Sequence, residues 1–106
     1  MKYELLKLED NDTCTECIPV LITKLAKAQK KASMLLLDMH DVSLINSGGI
    51  GVLIRTHKDL QLAGGGIVLA NVTETLRGIL EHSGICEIVK VYDRLADARK
   101  SLDRKE

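Results

Sequence analysis

A chain of 106 residues that is 45% apolar holds one hydrophobic core and has no room for a second. Fifteen basic residues balance fifteen acidic ones at a pI near 6.8, and two tyrosines are the only aromatics. Neither the charge nor the stacking groups of a nucleic-acid binder are therefore present.

No apolar run approaches the ~20 residues that span a bilayer, and the start Met1-Lys2-Tyr3-Glu4 lacks the apolar stretch of a signal peptide. The expectation is a cytoplasmic protein with no membrane or nucleic-acid partner. An odd number of cysteines, three, fits a compartment where thiols stay free. The core has to be built from Leu, Ile, Val and Ala, which suits helices packed on a sheet.

Tyr3 to Leu8 alternates imperfectly and runs into the polar cluster Glu9-Asp10-Asn11-Asp12, as a strand would. Helical spacing follows, with Ile18, Leu21, Ile22, Leu25 and Ala28 on one stripe and Lys24, Lys27, Lys30 and Lys31 outside it. A start near Cys17 puts Pro19 in the first turn, where it is tolerated. Ser33 to Asp38 carries the continuous run Met34-Leu35-Leu36-Leu37, suited to a strand buried on both faces.

Ile45-Asn46-Ser47-Gly48-Gly49 reads as a turn into a second helix, whose inward face is Ile50, Leu53, Ile54, His57 and Leu60. That helix ends at Gly64-Gly65-Gly66. Ile67 to Ala70 is the next buried strand. A third helix spans Thr73 to Glu81, with Thr73 as N-cap, Leu76, Ile79 and Leu80 inward, and Ser83-Gly84 as its stop. Ile88 to Tyr92 is a last strand, and Asp93 to Leu102 a last helix. Strands alternating with helices through short loops imply right-handed crossovers and a mainly parallel sheet. Sites in such folds gather at the carboxyl ends of strands, where Ser47 falls.

Leu35-Leu36-Leu37-Asp38, Val42 to Leu53, Gly64 to Leu69 and Leu80-Glu81-His82-Ser83-Gly84-Ile85, in this order, resemble the STAS domain. That family takes its name from sulphate transporters and anti-sigma factor antagonists. The resemblance covers roughly Met34 to Leu102. It implies an α/β fold with a mainly parallel central sheet of about four strands and about four helices, with residues 1–106 forming a single STAS-like domain. At this length the chain looks like a stand-alone bacterial anti-sigma factor antagonist, not an enzyme.

What the resemblance implies for the site is phosphorylation of Ser47 by an anti-sigma factor that is also a serine kinase. A serine phosphatase would reverse it. Partner contact would run through His40, Asp41, Asn46, Ser47, Gly48, Gly49 and Ile50. The family usually has Asp before this serine and Ser or Thr after it; here Asn46 and Gly48 stand there. It also usually has two strands before the first helix, where this sequence shows one.

The same residues admit other readings. Ser47 also suits a helix N-cap, a role compatible with modification. Gly48, Gly49 and Gly51 lack the Gly-Lys-Ser/Thr ending of a phosphate loop, so close packing of helix on sheet accounts for them better. Cys14-Thr15-Glu16-Cys17 has the spacing of a thiol redox motif, which makes a redox protein the rival from another class. A scaffold that does not switch, or a ligand-sensing subunit, is a third reading. His40 and Asp41 are placed in the loop after the central strand, His57 in the packing of its helix, and His82 at a helix end. No cofactor, metal or catalytic residue is called for.

Overall fold

The computed structural model describes residues 3–13 and 15–103. Strand β1 (Glu4–Glu9) leads into a one-turn helix α1 (Asp10–Thr13), a 3-10 turn (Thr15–Cys17) and helix α2 (Ile18–Gln29). Strand β2 (Met34–Asp41), helix α3 (Ser47–Gln61), strand β3 (Gly66–Ala70) and helix α4 (Glu74–Ser83) follow. A second 3-10 turn (Ile85–Glu87), strand β4 (Lys90–Val91) and helix α5 (Leu95–Asp103) complete the order.

All strand pairs are parallel, in the order β1-β2-β3-β4. Right-handed crossovers that advance steadily across a sheet put their helices on one face. Accordingly Leu21, Leu25, Leu53, Leu60, Leu76 and Leu80 from α2, α3 and α4 share a core with Leu35, Leu37, Met39, Ile67 and Leu69 of the sheet. The opposite face carries Leu36, Val68 and Ala70, covered by Ala98 and Leu102 of α5. The two-sided burial of β2 and β3 explains their unbroken apolar runs.

Local signals account for most element ends. Pro19 sits in the first turn of α2, where its missing N–H costs nothing. The Thr73 hydroxyl accepts from the Leu76 amide to cap α4, and Gly84 closes that helix at φ 87°. At Gly65 a Cβ would lie 1.8 Å from the Ser33 carbonyl oxygen, so only glycine lets β2 and β3 begin side by side.

Three expectations need correction. Ile22 is not inside but 50% exposed; Leu21, Leu25 and Ala28, at i, i+4 and i+7, already fill the contact with the sheet. The last strand is two residues, not five. The amides of Ile88 and Val89 turn back to the Ile85 carbonyl at 2.9 and 2.8 Å, and so are spent before the ladder begins. His40 and Asp41 are not in a loop: they end β2, which runs on because Asp41 still pairs with Glu9 past a register shift.

Candidate functional site

Residues 42–46 join β2 to α3 without regular structure. Val42 and Ile45 point into the core at 1% and 5% exposure, while Leu44 stands out at 62%. A five-residue connection at the rim of a sheet needs partners for its backbone groups, and α1 supplies them. The Asp10 carboxylate accepts from the Ser43 amide at 2.8 Å and from the Ser43 hydroxyl at 2.6 Å. The buried Thr13 hydroxyl donates to the Leu44 carbonyl at 2.9 Å. Those two Ser43 bonds hold the Asp10 carboxyl below its usual pKa.

Asn46, in extended backbone at φ −94° and ψ 178°, is the N-cap of α3. Its Oδ1 accepts from the Gly49 amide at 2.9 Å, and its carbonyl from the Ile50 amide at 3.0 Å. This corrects the capping role given to Ser47. Ser47 is the first helical residue, is exposed, and makes no side-chain hydrogen bond among the described residues. Its hydroxyl is left open to solvent beside an N-terminal turn that carries no acidic residue.

Close packing explains one of the three glycines. A Cβ on Gly49 would lie 2.7 Å from Ile45 Cγ1, so the turn closes tightly over Ile45. At Gly48 the nearest atoms, Asn46 Oδ1 and Ile18 Cδ1, would be 3.4 and 3.5 Å away, and at Gly51 the space is open. Ile50 is buried behind the turn and packs in the core.

At the same end of the sheet, Asp41 joins Lys7 and His40. Lys7 Nζ lies 3.0 Å from its Oδ2 and His40 Nδ1 2.9 Å from its Oδ1. The Lys7 contact first, then the His40 contact, holds the Asp41 carboxyl below its usual pKa; the same Asp41 raises that of Lys7. Exposed pairs of this kind stabilise little, so their value is the charge pattern they fix on the rim. No hydrogen bond among the described residues links His40 or Asp41 to Ser47.

The remaining singled-out residues fall elsewhere. His57 is buried in α3 and takes part in a hydrogen bond to β3, which periodicity alone does not reveal. His82 lies in the last turn of α4. Cys17 is disulfide-bonded, which corrects the expectation of free thiols drawn from the odd cysteine count, while Cys14 lies outside the described residues. Cys86 is the free cysteine among those described, and no His, Cys, Asp and Glu cluster among them suits a metal ion. No helix among them is long and apolar enough to cross a membrane.

The sequence pattern does not join Asp10 and Thr13 to the Ser47 turn, which the structure does through Ser43 and Leu44. The contacts that join them, Asp10 to Ser43 and Thr13 to Leu44, span 33 and 31 residues of chain.

Comparison with known proteins agrees with this architecture. The chain is 32% identical over 73 residues to the anti-sigma-B factor antagonist of Bacillus subtilis, covering 69% of this chain and 67% of that one. It is 23% identical to the anti-sigma F factor antagonist of Paenibacillus polymyxa over 71% of this chain and 64% of that one. The NMR structure of protein TM1081 from Thermotoga maritima superposes with a TM-score of 0.77 at 21% identity, covering 97% of this chain and 83% of that one. A sulfate transporter family protein from Wolinella succinogenes gives 0.74 at 18%, covering 91% and 80%. The STAS domain family model matches residues 12–98. With four parallel strands, the helices between them and the serine turn at the strand ends, this chain belongs to the STAS domain family.

Proposed function

We propose that this chain is a cytoplasmic anti-sigma factor antagonist that works by binding, not catalysis. Its partner would be an anti-sigma factor of the serine-kinase type, its off-switch phosphorylation of Ser47, and its reset a serine phosphatase. One observation carries the reading. Asn46, not Ser47, caps α3, so the serine hydroxyl is exposed and uncommitted at the first helical residue.

A phosphate added there brings about −1.5 to −2 charges beside backbone N–H groups and the positive end of the helix dipole. The fold would tolerate that charge. A docking surface made of the Ser47 turn, exposed Leu44 and the His40–Asp41 rim would not. Each ~1.4 kcal/mol of resulting repulsion weakens binding about tenfold.

The test is a pull-down from native extract with wild type beside Ser47→Asp and Ser47→Ala. Retention by wild type and Ser47→Ala with loss by Ser47→Asp supports the switch. Equal retention by all three points to a scaffold that does not switch.

A second reading keeps one observation in its favour. Cys17 is disulfide-bonded, as a redox protein using Cys14 and Cys17 would require. Thiol titration before and after mild oxidation, with Cys17→Ser as control, separates it: a pair that cycles reversibly and reduces a substrate disulfide would favour it.

A further inference from the structure

We propose that Asp10 is a positioning residue for Ser47, acting through Ser43. The inference rests on the functional reading above only for its biological use; its structural content stands on the chain alone.

The 42–46 connection has two buried anchors, Val42 and Ile45. Between them Ser43 and Leu44 are exposed, and their polar groups are held from outside the loop. Asp10 grips Ser43 at two points, amide and hydroxyl, through its two carboxylate oxygens. Thr13, one turn further on, holds the Leu44 carbonyl. Both grips come from the corner between β1 and α2, more than thirty residues away in the chain.

Downstream, Ile45 packs against Gly49, and Asn46 caps the turn that carries Ser47. A shift at Ser43 therefore propagates through two residues of loop to the cap. Charge-assisted bonds to a carboxylate are the stronger kind, and two on one residue fix orientation as well as distance. Asp10 is itself exposed, yet through Ser43 it sets the geometry of a turn it does not belong to. Ser43, the neighbouring serine, is engaged as a donor to a carboxylate, which leaves Ser47 as the uncommitted hydroxyl of the turn.

Amide hydrogen exchange on the isolated chain tests this, comparing wild type with Asp10→Ala and Asp10→Asn. Gly49 and Ile50 donate to Asn46 and report the cap; Leu69 in β3 reports global stability. In Asp10→Ala, protection at Gly49 and Ile50 should fall by about tenfold or more with Leu69 unchanged, as in a local opening. Asp10→Asn, which keeps one acceptor and gains a donor facing the Ser43 oxygen, should recover most of it.

Unchanged protection in Asp10→Ala overturns the proposal. So does an equal loss at Leu69, which marks Asp10 as a general stabiliser. Should Asp10→Ala not fold, Ser43→Ala, losing one of the two grips, is read by the same ratio. Failure of the phosphorylation reading would leave these exchange ratios as they are, so the two claims fail separately.

Discussion

His57 Nδ1 accepts a hydrogen bond from the Ile67 amide at 2.9 Å, inside the core. The Gly66 amide points to β2, bonding the Ser33 carbonyl at 3.0 Å, so strand alternation turns the Ile67 amide to the other side. There β4 begins only at Lys90, opposite Val68. On that side no strand among the described residues reaches Ile67, and the imidazole stands where the missing ladder partner would be. A buried amide left unpaired costs about 1–3 kcal/mol.

The bond makes stability depend on pH. An imidazole that accepts at Nδ1 is neutral, and burial holds its pKa below the ordinary 6.5. The unfolded chain takes up the proton first as pH falls, so this group costs stability below about 6.5 and adds no pH dependence above it. Urea melts at pH 7.5 and 5.5, for wild type and His57→Gln, measure the effect. Wild type should lose more stability on acidification than the variant; equal losses would contradict the assignment.

Glycine is required where β3 starts. A Cβ on Gly66 would lie 2.8 Å from His57 Cε1, against a ring locked by its hydrogen bond. Gly66→Ala should cost about 1–3 kcal/mol, the usual range for overpacking. Gly65→Ala should cost more, since its Cβ would meet the Ser33 backbone oxygen at 1.8 Å. Thermal melts of the two variants rank them; the reverse order would contradict the packing described.

How far these features were visible beforehand follows from their range. The central strands, α3, and the capping and stop of α4 depend on neighbours a few residues away, and spacing revealed them. So did the placement of Ser47 after a strand and before a helix. Asn46 and Ser47 are both good caps, and only backbone geometry decided that Asn46 takes the role. The shrinkage of β4 came from a turn whose carbonyl, Ile85, claims two amides. The Asp10–Ser43 grip and the His57–Ile67 bond join distant segments, and no period or local motif encodes them.

The Asn46 cap gives a graded prediction. Asn46→Ala removes the acceptor for the Gly49 amide and should cost about 1 kcal/mol. Asn46→Asp should keep the cap and match the helix dipole. Chemical denaturation of the three proteins reads the order; a destabilised Asn46→Asp at neutral pH would count against the cap geometry.

Asn71 fastens the other face. It sits at φ 59°, the one non-glycine residue at positive φ among those described. Its amide nitrogen donates to Asp38 Oδ1 at 3.0 Å, and its carbonyl oxygen accepts from the Leu95 amide at 2.9 Å. It thereby ties β2 to the start of α5. Asn71→Ala loses both bonds and takes on left-handed strain, for about 1–3 kcal/mol. Asn71→Gly relieves the strain alone and should fall in between, by thermal melt. Equal loss in both variants would leave the strain without weight.

The central claim is that Ser47 is an open hydroxyl serving as a phosphoacceptor. Incubation with the cognate anti-sigma kinase and ATP, followed by intact-mass measurement and peptide mapping, tests it most directly. The account predicts one added phosphate, on Ser47, absent in Ser47→Ala; no gain in mass, or a phosphate on Ser43, would contradict it.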